Sequence, residues 1–118
     1  MAVKIASEDP RQPDVVVLIA ELNDVLLKLT PPEYCYHMTA EEMAREDTTV
    51  FVARDDGNAV ACGALKRHAE GIGEVKRMYT RPRWQGQGIG GAILDEIVKL
   101  ACADGLNRLV LETGDKNP

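Results

Sequence analysis

A glycine-rich stretch at residues 81–91 carries the clearest chemical signal in the sequence. It reads Arg-Pro-Arg-Trp-Gln-Gly-Gln-Gly-Ile-Gly-Gly, and the apolar spacing that follows predicts a helix from about Gly88 to Ala103. The first N–H groups of a helix lack internal partners and lie at its positive end, so glycines here would expose a site suited to phosphate or pyrophosphate. The alternative, a tight turn that only allows close helix packing, is less favoured because glycines in a first helical turn are costly.

Two classes of phosphate-bearing ligand fit these glycines. Gly86, Gly88 and Gly91 match the G-x-G-x-x-G pattern of NAD-dependent enzymes, and Glu112 ends a predicted strand at about the distance of a ribose contact. In that fold, however, the first glycine directly follows the strand, and several βα repeats come after it. Here the polar stretch 80–85 intervenes and the unit comes last, so an NAD-dependent dinucleotide-binding enzyme is the less favoured alternative.

The rest of the sequence predicts a single α/β domain that would position this loop. Helices are expected from Asp14 to about Leu29, from Thr39 to about Arg45, and after the glycine loop. The predicted strands are Val3–Ala6, Thr48–Arg54, Ala59–Arg67, Glu74–Thr80 and Arg108–Glu112. Turns at 55–58 and 71–73 make the middle strands antiparallel, whereas the helical crossover makes the last strand parallel to Glu74–Thr80. The predicted order is β-α-α-β-β-β-α-β, a mixed, mainly antiparallel sheet.

Composition narrows the classes of function. The chain has 118 residues, 45% of them hydrophobic, and a net charge of −5, which fits one globular domain and argues against nucleic-acid binding. Six cations nevertheless fall between residues 66 and 83, and such a local stretch suits a small polyanion, or alternatively a solvated strand edge.

The cysteines and the hydropathy pattern indicate a cytoplasmic protein. Cys35, Cys62 and Cys102 are widely spaced and form no CxxC pair, so we expect buried, reduced structural thiols, none of them catalytic, and no metal site. We find no apolar run of membrane-spanning length and no signal-peptide pattern, and we expect no membrane partner.

Residues 74–91 resemble the signature segment of the GNAT acetyltransferase family. Met78, Thr80 and Pro82 occupy the hydrophobic-x-hydrophobic-x-Pro end of the family's strand, with Thr80 as a polar departure. Gln85, Gly88 and Gly90 then match [Gln/Arg]-x-x-Gly-x-[Gly/Ala]. The predicted order of elements also matches, so the resemblance extends over nearly the whole chain.

The resemblance implies transfer of an acetyl group from acetyl-coenzyme A to a primary amine, on a small molecule or a peptide. The pantetheine arm would pair like an extra strand with Glu74–Thr80, using the backbone of Met78 and Thr80, where this strand and the last one splay apart. The residues expected to hold the pyrophosphate are Gln85, Gly86, Gln87, Gly88, Ile89 and Gly90. The alternative from another class is a non-catalytic acyl-coenzyme A-binding or interaction module.

Direct attack on an activated thioester needs no protein nucleophile. A backbone N–H near Met78 would stabilise the oxyanion, and Glu74 is the candidate base, directly or through water. A carboxylate that only pairs with Lys76 or Arg67 is an equally good interpretation of Glu74. Tyr79 is a candidate for proton transfer, although most tyrosines in such strands pack by their rings.

The resemblance also implies elements that the sequence lacks. Asn117 matches an asparagine that reaches toward the pantetheine, and family members continue with a tyrosine-bearing helix and a closing hairpin. We therefore expect residues 1–118 to form one C-terminally incomplete domain. Its last strand would keep an exposed edge that favours association with a second copy.

Overall fold

The computed structural model describes residues 3–29 and 40–111. Helix α1 spans Pro13–Leu29, α2 spans Ala40–Met43 and α3 spans Ile89–Ala103. The strands are β1 (Val3–Ser7), β2 (Thr48–Asp55), β3 (Asn58–Arg67), β4 (Ile72–Thr80) and β5 (Arg108–Leu111). The predicted order of elements is confirmed. Cys35, Thr39, Glu112 and Asn117 lie outside the described residues.

The five strands form one sheet in sequence order. Each pair from β1 to β4 is antiparallel, whereas β4 and β5 are parallel. Short connections join β2 to β3 and β3 to β4, which explains why these pairs are antiparallel, whereas α1 and α2 lie between β1 and β2. Helix α3 supplies the crossover that a parallel pair requires. The predicted fold class, a mixed and mainly antiparallel sheet, is therefore confirmed.

Apolar residues on both faces of the sheet are buried by helices. One cluster lies between the sheet and the first two helices and includes Val15, Leu18, Met43, Val52 and Cys62. The other lies under α3, where Ile89, Ile93, Ile97 and Ala101 are buried and Leu100 is partly buried. Cys102, on the same helix, is exposed, so the expectation that it is buried was wrong. Because strand side chains alternate between the faces, strands β2, β3 and β4 contribute to both clusters, whereas β1 and β5 contribute to the cluster under α3.

The turn predicted at residues 71–73 differs from the structure. A short 3₁₀ turn spans Ala69–Gly71, and β4 already begins at Ile72. A Cβ on Gly73 would lie 2.8 Å from Leu106 Cδ1 and 2.9 Å from Leu65 Cδ1, so this glycine allows close packing within a strand. The sequence pattern alone does not separate that use of glycine from a turn.

A second 3₁₀ turn, Pro82–Trp84, lies within the polar stretch that precedes the glycines.

None of the helices in the described part of the chain has the length and apolarity to cross a bilayer.

Candidate active site

Strand β4 changes its surroundings halfway along its length. Its first half, Ile72–Val75, is paired with β3 on one side and with β5 on the other, and the last parallel pair is Val75 with Leu111. From Lys76 to Thr80, β3 is the only strand that pairs with β4 among the described residues. We call the side of Lys76–Thr80 that faces away from β3 the open edge.

A bulge lies at the start of the open edge. The pairing with β3 passes from Lys76 opposite Ala64 to Tyr79 opposite Cys62, so two β4 residues face Gly63. One of them, Arg77, has φ +58, a left-handed conformation that costs a non-glycine residue roughly 1–2 kcal/mol. A bulge of this kind increases the local twist and bends the strand.

Contacts around Arg77 hold the bulge in place. Its side chain is 2% exposed, and its Nη2 donates a hydrogen bond to Oδ1 of Asn23 on α1. The Cys62 thiol donates to the carbonyl oxygen of Arg77 over 3.3 Å. Burial raises the pKa of this thiol to about 12, which makes it a packing group and a poor nucleophile at neutral pH.

Gly63 leaves room for Met78, the second residue of the bulge. A Cβ on Gly63 would lie 2.4 Å from Met78 Sδ and 2.8 Å from Ile93 Cγ2, so any larger residue would displace one of them. Met78 is 36% exposed on the open edge. An isolated glycine in an apolar strand is typical of such a bulge, but Gly63 was not among the predicted site residues.

The backbone of Thr80 is directed toward the open edge. The N–H of Arg81 donates to the carbonyl of Val60 in β3 over 2.9 Å, and successive strand residues direct their backbone groups to opposite sides. The Gln85 side chain crosses to this edge, where its Nε2 donates to the Thr80 carbonyl over 2.9 Å. That bond ties the glycine loop to the end of β4.

The glycine loop presents the start of α3 without a protein cap. Gly86 and Gly88 both have φ +81, and Gly88 is the N-cap residue without any side-chain capping bond. The first turn contains no acidic residue, and Ala92 N–H donates to the Gly88 carbonyl over 3.0 Å. A Cβ on Gly86, Gly88 or Gly91 would meet no described atom within 4 Å. Backbone donors at a positive helix end thus face an open volume.

Ion pairs fix the segment between β4 and this loop. Arg81 binds both carboxylate oxygens of Glu21 on α1, over 2.9 and 2.8 Å, and donates to the Ala59 carbonyl. Trp84 Nε1 donates to Asp55 Oδ2 over 2.9 Å, and Arg83 stacks over the Trp84 ring. Trp84 therefore anchors the loop on the neighbouring hairpin.

The basic stretch does not form a single cationic face. Arg67 pairs with Asp104 over 2.7 Å, Lys76 with Glu74 over 3.4 Å, and Arg77 with Asn23 inside the protein. These cations are used within the fold, so the loop's attraction for an anion comes mainly from backbone donors.

Glu74 lies in the closed half of β4, one residue before the last β4–β5 pair. Its Oε1 is 2.8 Å from His68 Nε2, and its Oε2 accepts a bond from Lys76 Nζ over 3.4 Å. Burial raises the pKa of Glu74, but the hydrogen bond with His68 and the charge of Lys76 outweigh burial, so the net pKa is below its ordinary value. Of the two cations expected as alternative partners, Lys76 contacts Glu74 and Arg67 pairs with Asp104 instead, and the contact with His68 was not predicted.

Tyr79 lies on the opposite side of the bulge from Glu74. Its ring packs against the cluster under α1, and its hydroxyl donates to Glu21 Oε1 over 3.4 Å. Burial, followed by the charge of Glu21, raises the pKa of Tyr79. The phenol is therefore protonated at neutral pH.

Comparison with known proteins agrees with this geometry. The model of the acetyltransferase (GNAT) family matches residues 17–118. The chain is 43% identical over 113 residues to IAA acetyltransferase of Azospirillum brasilense, an alignment that covers 95% of this chain and 74% of the relative.

Two solved structures extend the likeness to the fold. Ribosomal-protein-alanine N-acetyltransferase from Brucella melitensis has a TM-score of 0.76 and 25% identity, covering 98% of this chain and 83% of its own. N-acetylglutamate synthase from Neisseria gonorrhoeae, complexed with coenzyme A and N-acetyl-glutamate, has a TM-score of 0.72 and 27% identity over 97% of this chain and 26% of its own. The NAD-dependent alternative is not supported, and the chain belongs to the GNAT family of acetyltransferases, as an N-acetyltransferase with an acyl-coenzyme A cosubstrate.

Proposed function

We propose that the protein transfers the acetyl group of acetyl-coenzyme A to a primary amine of a small molecule or peptide. The observation that carries the proposal is the continuity of the open edge of β4 with the uncapped, glycine-rich start of α3. An extended, hydrogen-bonding arm that ends in a pyrophosphate fits this combination.

The phosphates would lie on the loop from Gln85 to Gly90. Backbone N–H groups of Gly86, Gln87, Gly88, Ile89 and Gly90 would donate to them, since left-handed glycines at 86 and 88 leave the approach open. The Gln85 side chain already binds the Thr80 carbonyl, so we assign it to holding the loop, with its backbone toward the ligand.

The pantetheine arm would lie along the open edge as an added strand. The backbone groups of Thr80 point toward this edge, and we infer the same outward orientation for Met78, two residues earlier. Such β-augmentation provides main-chain hydrogen bonds without a dedicated pocket. It would place the thioester at the bulge, where the N–H of Met78 is our candidate donor to the tetrahedral oxyanion.

Proton transfer precedes attack because an alkylamine is mostly protonated at neutral pH. We propose that Glu74 accepts this proton, directly or through water. The amine nitrogen then bonds to the acetyl carbon, the carbon–sulfur bond breaks, and coenzyme A leaves as a thiolate. The thiolate takes up the second proton, which the nitrogen loses as it becomes an amide. Because the Tyr79 hydroxyl is protonated at neutral pH, it could act in proton transfer only as a donor. Its ring packs against the core, which also supports a role in positioning the end of β4.

The names of the compared proteins support an amine acceptor. One solved relative acetylates alanine of a ribosomal protein by its name, and another is a synthase of N-acetylglutamate. The Azospirillum relative is named for IAA, and we treat IAA as a competing acceptor for this chain.

Release of coenzyme A from acetyl-coenzyme A tests the proposal. We expect turnover with at least one member of a panel of amines, amino acids and peptide N-termini, and recovery of the N-acetyl product by mass spectrometry. Tight acetyl-coenzyme A binding without turnover across the panel would favour the non-catalytic module. Turnover with IAA alone would overturn the amine acceptor.

We also propose self-association through β5. Among the described residues its outer side carries no further strand, and Leu111 is 65% exposed. Unpaired edges of this kind attract a second chain. Sedimentation should reveal a concentration-dependent dimer that Leu111→Lys weakens, whereas an unchanged dimer in that variant would place the contact elsewhere.

A further inference from the structure

A histidine outside the proposed cosubstrate path contacts the candidate base of the site. His68 is the first residue after β3, at the start of the connection to β4, and its Nε2 is 2.8 Å from Glu74 Oε1. We propose that His68 is a positioning residue that holds the Glu74 carboxylate, in its ionised form, at the place where β4 and β5 stop pairing. This inference rests on the proposed role of Glu74 as the base.

The backbone fixes His68 in this place. Its N–H donates to the carbonyl of Ile72 over 2.7 Å, which closes the 3₁₀ turn at Ala69–Gly71. Within that turn Glu70 has φ +65 and Gly71 has φ +76, so the chain reverses sharply and brings the imidazole back over β4. The contact spans six residues and is a product of the turn's shape.

The position of Glu74 makes the contact consequential. Glu74 pairs with Lys66 in β3 and with Val110 in β5, and only the pair of Val75 with Leu111 follows before the open edge begins. A carboxylate here lies beside the end of the proposed pantetheine path. Rotation about the side-chain bonds of Glu74 would decide whether a carboxylate oxygen faces an approaching amine.

The two oxygens of Glu74 have different partners. Oε1 faces the imidazole over 2.8 Å, and Oε2 faces Lys76 Nζ over 3.4 Å. The side chains of Glu74 and Lys76 are 22% and 11% exposed, and that of His68 is 40% exposed. Lys66, directly across the strand pair, is a further cation on this part of the sheet. The shortest contact is therefore the one to His68, on the solvent side.

These contacts decide the charge of Glu74. Partial burial alone favours the neutral carboxylic acid, and donors to the carboxylate favour the charged form. A neutral imidazole with a proton on Nε2 already supplies such a donor, so the role does not require a charged histidine. Loss of the donor should raise the pKa of Glu74 and free its side chain to rotate.

The test compares two substitutions of His68. Gln at this position keeps an N–H donor near the place of Nε2 but cannot ionise, whereas Ala removes the donor. We expect His68→Ala to lower kcat/KM about tenfold and His68→Gln to stay within about threefold of the wild type, as for a residue that positions a general base. The KM for acetyl-coenzyme A should not change in either variant. Lys99→Ala, on the exposed face of α3, is the control for unspecific loss.

Two readouts separate positioning from mere folding. Initial rates with acetyl-coenzyme A and the fastest amine of the panel give the pH profile, whose acidic limb should move to higher pH in His68→Ala. Carbon-13 NMR of glutamate-labelled free protein gives the titration of Glu74 directly, assigned by its loss in Glu74→Gln. That titration should move to higher pH in His68→Ala and much less in His68→Gln.

The outcomes against the inference are distinct. An unmoved Glu74 titration in His68→Ala, or an equal rate loss at every pH, would overturn it. Full activity of Glu74→Gln would remove the catalytic role of both residues. Failure of acetyl-coenzyme A to bind the wild type would instead contradict the proposed function, and the NMR titration would still decide whether His68 holds Glu74 ionised.

Discussion

The two halves of β4 share one backbone but differ in what surrounds them. Ile72–Val75 lies between two strands, whereas Lys76–Thr80 is paired on one side in the described structure. The closed half carries Glu74 with its partners His68 and Lys76, and in the open half Thr80 directs its backbone away from β3 toward the glycine loop. We propose that the two halves divide the reaction between them, with proton transfer at the closed half and cosubstrate binding at the open half.

The glycines in or next to the two halves of β4 also differ in their surroundings. Gly73, in the closed half, is surrounded by side chains of Leu65, Leu106 and Leu109. Gly86 and Gly88, beyond the open half, have no described atom near the place of a Cβ. Absence of a side chain allows close packing in the first case and leaves open space in the second, where we propose that the ligand binds.

The largest expected effect on coenzyme A affinity comes from a substitution in the glycine loop. Gly88→Glu would place bulk and negative charge where the phosphates lie, and we expect coenzyme A affinity to fall about 100-fold or more, since an anionic ligand meets a like charge at short range. Gly57→Glu is the matched control, because Gly57 also has positive φ and open space around it. Both should lose similar thermal stability, measured by melting. Normal coenzyme A affinity in a folded Gly88→Glu protein would contradict the loop assignment.

The next effect separates chemistry from binding. Glu74→Gln should lower kcat by about 100-fold and leave coenzyme A affinity unchanged in a titration. The loss should be greater at low pH, where more of the amine is protonated and the base matters most. A loss equal at all pH values would assign Glu74 a structural role.

Glu74→Gln should also change how the stability of the fold depends on pH. The pKa of Glu74 in the folded protein lies below its ordinary 4.5, so its contribution is present above that value and disappears as pH falls through the folded-state pKa. As the pH falls, the melting temperature of Glu74→Gln should therefore decrease less than that of the wild type. Melting temperatures that decrease in parallel for the two proteins from pH 7 to pH 3 would contradict the lowered pKa.

Smaller effects on stability and coenzyme A affinity are expected from alanine at Gly63 and Gly73, the two glycines that are closely surrounded by side chains. Gly73→Ala should destabilise the fold by about 1–3 kcal/mol through overpacking, with little change in coenzyme A affinity. Gly63→Ala should displace the flexible Met78 side chain from the bulge and weaken coenzyme A binding several-fold. Denaturant unfolding and ligand titration of both variants would check this. Equal affinities in the two variants would remove Met78 from the binding edge.

The smallest effect concerns the tie between α1 and the end of β4. Glu21→Gln weakens the pair with Arg81, whose side chains are 36% and 26% exposed. Pairs with this exposure contribute about 1 kcal/mol or less, so we expect a small drop in melting temperature and normal turnover. A loss of turnover without a loss of stability would give Glu21 a direct part in acceptor binding.

Local patterns predicted much of this arrangement. The glycine spacing at 86–91 and the apolar stripe of α3 define the loop and its helix within a few residues, because both depend on neighbours in sequence. The pairing of Glu74 with Lys76, two residues apart on one face, was predictable for the same reason.

Features set by cross-strand register were not predictable. The left-handed Arg77 and the contact of Met78 with Gly63 exist because two residues of β4 face one of β3. Arg67 pairs with Asp104, 37 residues away, through the docking of α3, and His68 reaches Glu74 only because of the 3₁₀ turn. In each case the partner is chosen by three-dimensional packing, which residue types alone do not reveal.

Amide hydrogen exchange with and without coenzyme A tests the division of β4 most directly. Ile72–Val75 should be protected in both states, because its backbone is bonded on both sides, whereas Met78, Thr80 and the amides of Gly86–Gly90 should gain protection only when coenzyme A is present. Coenzyme A that binds without slowing exchange at Met78, Thr80 or the loop would contradict the account.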